Sequence, residues 1–333
     1  MYKFAQMTNE DRDFAFSKTA IEKGIRKEIV EKDFWVCLML DYLFTKSKFK
    51  NDLTFKGGTS LSKGFNIISR FSEDIDLILN WTVLGAGLLE PLEERSNTRQ
   101  DTYNKLLNTK AEEFIKNNLL TDIKVNLSKL LNTEIDITVD EIDPQVINFY
   151  YPKVYNTNDD YIKQYVRLEI GPLAAWSPSV SVNITPYVCE SLSSAFELKS
   201  TKVLTVAPER TFWEKSTILH REANRPAEKA MPSRYARHYY DLYKFSKTPY
   251  FISALKDRDL LRKVVEFKEK FYRDNWAKYD ECLNGKLRLV PQQFRIKEIE
   301  KDYIQMQDMF YDEIPSFSEI IKQLEVIENL INT

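Results

Sequence analysis

Apolar positions change their period along this chain, and each change marks an element. Residues 9–46 carry Ile29, Phe34, Leu38, Leu40 and Leu43 around a charged triplet, Glu31-Lys32-Asp33, and read as helical. Between 52 and 206 the period shortens. Short β-prone runs predict strands at 52–56, 74–80, 122–128, 133–139, 145–150, 164–170 and 181–187, with one or two helices among them. The stretch 81–95 (WTVLGAGLLEPLEER) holds two glycines and a proline and reads as a loop or flap near the site. From Pro208, suited to a first helical position, the chain turns helical; 255–273, 296–311 and 317–331 have the pattern of packed amphipathic helices. The expectation is an α+β protein in three parts: an N-terminal helical segment (1–50) packed on a sheet domain (51–207), and a C-terminal helical domain (208–333).

Composition narrows this only a little. Hydrophobic residues make up 43% and aromatics 13%, enough for a real core. With 48 basic against 50 acidic residues, no global polycation advertises a nucleic-acid partner, so any such contact needs a local patch. The N-terminus is too polar for a signal peptide, and no apolar run reaches membrane-spanning length. Cys37, Cys189 and Cys282 are odd in number and widely spaced, which fits a reducing cytoplasm. The only histidines, His220 and His238, argue against a His/Cys zinc site.

The chemistry concentrates in 55–77, FKGGTSLSKGFNIISRFSEDIDL, where three of the eight glycines (Gly57, Gly58, Gly64) fall together. Leu53, Thr54 and Phe55 form a β-prone run ending at the glycine pair. Thr59 or Ser60 then caps a helix carrying Leu61, Phe65 and Ile68, and Arg70 and Ser72 close it. A helix N-terminus after a glycine turn suits phosphate. Ile75, Leu77 and Leu79 alternate in the next strand, so Asp74 and Asp76 share its other face. Paired carboxylates repel unless a cation lies between them, and hard oxygen donors suit Mg²⁺.

The stretch GGTSLSKGF…RFSEDIDL resembles the signature of nucleotidyltransferases with the DNA polymerase β palm, and more narrowly the AbiEii/AbiGii, or MenT-like, toxin family of bacterial toxin–antitoxin systems. VEKDFWV (30–36), VRLEIG (166–171), APERTFWEKSTILHRE (207–222) and RYARHYYDLYKF (234–245) match that family in its order. The resemblance implies a palm of mixed sheet with flanking helices, followed by a helical domain. It implies transfer of NMP from an NTP to an acceptor hydroxyl, using Mg²⁺ or Mn²⁺. The acceptor would be RNA, at the 3′ end of tRNA, and a cognate antitoxin would neutralise the toxin. Gly57, Gly58, Thr59, Ser60 and Arg70 would hold the nucleotide, and Asp74 and Asp76 the metal.

The remaining site residues rest on both spacing and resemblance. Glu169 falls in the matched VRLEIG stretch, opposite Val166, Leu168 and Ile170, and is the preferred third carboxylate; Asp136 and Asp140 are its rivals. Residues 209–247 carry nine basic against five acidic side chains, a local basic patch. Within it Lys215, beside Phe212 and Trp213, is suited to clamp a triphosphate. Asp241 has helix neighbours Arg237, His238 and Lys244 and reads alone as part of a charged face. The family combines a lysine with an aspartate of this kind, although members often carry a further aspartate where this chain has His238. The triplet 31–33 reads as structural support. Two rivals to the RNA reading remain: transfer to a small molecule or protein, and non-catalytic nucleotide binding.

Overall fold

A computed structural model of the chain describes residues 1–156, 163–197 and 199–333, with the side chains of Ala195 and Asp308 outside the description. It divides into two compact units: Met1–Gly64 with Phe71–Val206, and Phe65–Arg70 with Ala207–Thr333.

The first unit is built on a seven-stranded mixed sheet, so its class is α+β. The strands are β1 (Leu53–Lys56), β2 (Ile75–Leu79), β3 (Asp136–Val139), β4 (Val146–Tyr150), β5 (Val166–Gly171), β6 (Ser179–Ile184) and β7 (Thr201–Val206), ordered β3-β4-β5-β2-β1-β7-β6. The β2–β5 and β1–β7 pairs are parallel and the others antiparallel. Helices α1 (Asn9–Lys23), α2 (Lys27–Asp41), α3 (Asn97–Phe114) and α4 (Leu120–Leu131) belong to it. Every residue of α2 from Ile29 to Asp41 is buried, the charged triplet included, and α2 packs on β5 and β7. Trp35 of α2 stacks on Tyr151 at 5.7 Å, and Phe34 meets Phe4 and Phe16.

Three expectations need correction. Residues 122–128 lie in α4, not in a strand: Leu119, Ile123, Leu127 and Leu131, four apart, are all buried, and that is a helical period. Strand β7 was not foreseen, although Thr201, Val203 and Thr205 face inward while Lys202 and Leu204 face out. The helix after the glycine pair is also shorter than expected. A turn at Gly57–Thr59 widens to i→i+5 bonding over Ser60–Gly64 and stops there, and Asn66 is left-handed at φ 53°. Phe65 and Ile68 therefore lie outside any helix, and Phe65–Arg70 belongs to the second unit. Residues 81–95 contain two short 3₁₀ turns, Trp81–Leu84 and Glu90–Leu92, with Trp81 buried against Trp176 and Leu88 and Leu89 exposed.

The second unit is helical: α5 (Pro208–Ala223), α6 (Ala236–Phe245), α7 (Pro249–Lys256), α8 (Arg258–Phe271), α9 (Ile296–Gln305) and α10 (Phe317–Asn332). Pro208 occupies the first turn of α5, and Ser316 with Glu319 forms a capping box on α10. Segment 65–70 is tied in by the Arg70–Phe310 bridge and by the Tyr311 amide donating to the Ser69 carbonyl. Cys37, Cys189 and Cys282 are free and buried. Among the described residues no helix is long and apolar enough to cross a membrane.

Candidate active site

In the first unit the site grows from β1, the glycine turn and β2. Gly57 has φ 84°, a region that strains other residues. A side chain there is excluded on a second count, because a Cβ would stand 1.8 Å from Asp76 Oδ2 and 2.6 Å from its Cγ. The Asp76 carboxylate thus rests directly on the turn's backbone. Gly64 closes the same segment tightly, where a Cβ would lie 3.0 Å from Val182. Thr59 Oγ1 donates to the Asp74 carbonyl at 2.6 Å, and Ser60 Oγ donates to the Gly57 carbonyl at 2.8 Å. The Ser60 hydroxyl is bonded within the turn and holds its shape, while that of Thr59 ties the turn to the residue before β2.

Strand register completes a polar row. Lys56 on β1 is paired with Asp76 on β2, and Asp76 with Glu169 on β5, so all three side chains share one face. Ile75, Leu77 and Leu79 fill the core on the other. Burial, with the neighbouring charges of Glu73, Asp76 and Glu169, pushes the Asp74 carboxyl up to about 7, and Lys32 opposes the rise. Glu169 is exposed and takes a 3.0 Å ion pair from Arg167. The rivals fare differently. Asp140 accepts from Asn148 and the amides of Ile142 and Asp143, which hold its carboxyl below the usual range. Asp136 is exposed on the edge strand β3, away from β2. Only Glu169 sits on a strand adjoining β2.

No group of three or more His, Cys, Asp or Glu side chains is arranged as a metal site among the described residues. The donor chemistry nevertheless fits a hard divalent ion: Asp74, immediately before β2, and Asp76 on it are oxygen donors whose mutual repulsion a cation would relieve.

The second unit holds a separate buried cluster. Asp241 on α6 is fully enclosed and receives a two-pronged bond from Arg70, Nε to Oδ1 at 2.7 Å and Nη2 to Oδ2 at 2.8 Å. Lys215 Nζ on α5 lies 2.8 Å from the same Oδ2 and 3.4 Å from His238 Nδ1. Although burial opposes it, the Arg70 and Lys215 charges hold Asp241 well below the usual carboxylate range. Burial lowers Lys215, against the pull of Asp241. Burial and the charge of Lys215 drive His238 far down, so its imidazole is neutral and Nδ1 accepts from the ammonium. The sequence neighbours of Asp241 on its own helix are thus not its chief partners. Arg70, read as a phosphate contact, directs Nε and Nη2 to Asp241.

The basic patch also reads differently in space. Arg210 pairs with Glu214, Arg221 with Asp274 and Glu222, Arg225 with Glu222, and Lys244 with Asp312 at 3.8 Å. Asp274 and Asp312 lie outside the counted window, which is why a local tally overstated the excess. His220 is structural: Nδ1 accepts from the Arg288 amide, and Nε2 meets the Lys278 carbonyl. Sequence reasoning missed Lys56; its only signal was its place just before the glycine pair.

Two solved structures resemble the chain at low identity. MenT4, a nucleotidyltransferase toxin from Mycobacterium tuberculosis, is 15% identical with TM-score 0.47, covering 98% of each chain. JHP933 from Helicobacter pylori is 14% identical with TM-score 0.42, covering 92% of this chain and 93% of the other. None of the curated proteins compared matches the sequence. The sequence model of the AbiEii nucleotidyl transferase toxins of type IV toxin–antitoxin systems matches residues 39–323, a span that includes the glycine turn, the acidic strands, Lys215 and Asp241. The chain is a member of the AbiEii nucleotidyltransferase toxin family.

Proposed function

We propose that the chain moves NMP from an NTP to an acceptor hydroxyl with the help of Mg²⁺ or Mn²⁺, held by Asp74 and Asp76 with Glu169 assisting. The observation that supports this most is the seating of the Asp76 carboxylate on the Gly57 backbone, with Glu169 in register beside it. A bound divalent ion neutralises phosphate charge and polarises the phosphorus under attack. The chain's own groups supply the rest. Gly57 and Gly58 let phosphate oxygens come close to the backbone, and Thr59 and Ser60 keep that turn in place. Lys56 adds a positive charge to the same face. In the second unit Arg70 and Lys215 both contact the Asp241 carboxylate, beside a neutral imidazole. Lys215 is assigned to the charge on the departing pyrophosphate, Asp241 orients it, and Arg70 fixes Asp241 from the other side.

The acceptor in this reading is RNA, at the 3′ end of tRNA, and a cognate antitoxin restrains the protein; membership of a toxin family supports the antitoxin more directly than the RNA. The test is incubation with each α-labelled NTP, Mg²⁺ or Mn²⁺, and total cellular RNA, protein and small-molecule extract in one mixture. Label at RNA 3′ ends supports the assignment. Label confined to protein or small molecules refutes the RNA acceptor while keeping the transferase.

A further inference from the structure

Three consecutive ionisable side chains in a helix packed on all sides demand an explanation. Glu31, Lys32 and Asp33 are at most 2% exposed on α2, and a buried ion is costly unless paired. Each is paired, and each with a different segment. Glu31 accepts from the amides of Val154 (2.5 Å) and Tyr155 (3.4 Å). Lys32 donates to Glu73 Oε2 at 2.5 Å and to the Lys163 carbonyl at 2.6 Å. Asp33 pairs with Lys63 at 2.8 Å through Oδ1 and accepts from the Tyr187 amide at 2.7 Å through Oδ2. The Lys63 ammonium also lies 3.6 Å from the Tyr187 ring centroid.

The partners of Lys32 and Asp33 are informative in their positions. Glu73 immediately precedes Asp74 on the approach to β2, and Lys163 precedes β5, which carries Glu169. One ammonium thus ties the starts of the two parallel strands that bear the acids. Lys63 lies in the segment that continues the glycine turn, so Asp33 ties that segment to the same helix. The contact near these ties, Gly57 against Asp76, is close: a carboxylate oxygen stands 1.8 Å from where a Cβ would be.

We propose that Lys32 and Asp33 are positioning residues of the transferase site, a pair of buried ion-pair ties that set the glycine turn against the two acid-bearing strands. This rests on the function proposed above. Removing the ties should loosen the placement of Asp74, Asp76 and Glu169 even where the fold survives, because packing alone is less directional than a charged hydrogen bond.

The test uses the full chain and two readouts scaled to the folded fraction: Mn²⁺ affinity by electron paramagnetic resonance, and the kcat and KM of NMP transfer. Lys32→Met and Asp33→Asn each leave a buried partner unpaired and destabilise the fold, so the deciding variant is Lys32→Met with Glu73→Met. Replacing both members of a buried pair by apolar side chains is tolerated by many folds. The matched control is Asp122→Asn, at a buried acid of the same unit that bonds Tyr42 and Ser47. The double variant should melt near the wild type, yet bind Mn²⁺ at least about fivefold more weakly and lose about tenfold in kcat with little change in KM. The control should lower the melting temperature and leave both readouts within about twofold. A double variant with wild-type Mn²⁺ affinity and kcat, or a control that loses as much, overturns the proposal. If the wild type itself neither binds Mn²⁺ nor transfers nucleotide, the functional reading fails instead.

Discussion

Gly57→Ala isolates the contact at the centre of the site. The substitution acts twice. Forcing alanine to φ 84° costs about 1–2 kcal/mol of backbone strain. Its Cβ would also fall 1.8 Å from Asp76 Oδ2, where ordinary contact begins near 3.4 Å, so the carboxylate must retreat by 3.4 − 1.8 = 1.6 Å. A displacement of about 1 Å in a reacting group costs on the order of 100-fold in rate. The expected outcome is a transfer rate down by about 100-fold or more, with a melting-temperature loss of about 2–8 °C. Gly85→Ala is the control: Gly85 has φ 80° but nothing within 4 Å of the added Cβ. It should lose comparable stability and keep its rate. The assay is NMP transfer beside thermal unfolding for both variants. Gly57→Ala with a rate within about twofold of wild type, or Gly85→Ala with an equal loss of rate, would refute the reasoning.

Other outcomes follow from the same geometry. Asp241→Asn leaves Arg70 and Lys215 sharing a neutral partner in a buried site and should cost about 3–5 kcal/mol, read by denaturant unfolding; an unchanged midpoint would contradict the cluster's energetics. Lys56→Met should slow single-turnover transfer by about tenfold, since it removes the cation in register with Asp76, and an unchanged rate would remove Lys56 from the site. Glu169→Gln should weaken Mn²⁺ binding and Asp140→Asn should not, because only Glu169 adjoins β2; the reverse ranking would restore the rival. Burial raises the Glu31 carboxyl to about 7, with the Val154 and Tyr155 amides resisting. The folded state therefore holds a proton that the unfolded chain has released, and stability falls as pH rises from about 4.5 to 7. Glu31→Gln should flatten that part of the stability–pH curve, and an unchanged slope would show that Glu31 is ionised throughout.

Much of the candidate site's local structure is legible where the pattern is local. The glycine pair, the alternating Asp74 and Asp76, and the amphipathic helices beyond 208 need only spacing and propensity to be read. The misreadings came from information that spacing does not carry. Residues 122–128 are apolar enough for a strand, but their four-residue period extends back to Leu119 and on to Leu131, and only the longer window shows it. The pairing of Lys56 with Asp76 depends on β1 and β2 being antiparallel in one register. Arg70 and Asp241 are 171 residues apart, and no local pattern links them. The same limit explains the basic patch and the charged triplet. Charges in a sequence window look solvated or excessive until partners from distant segments, such as Asp274 and Glu73, neutralise them.

The most direct test of the central claim is single-turnover release of pyrophosphate, with label transfer from α-labelled NTP, by the wild type and by Asp76→Asn in the presence of Mg²⁺. Asn keeps the size of the side chain resting on Gly57 and removes its charge. The expected result is equimolar pyrophosphate and labelled acceptor from the wild type, and a loss of at least about 100-fold in the variant with its melting temperature preserved. Equal transfer by both proteins would contradict the assignment of this carboxylate to the reaction.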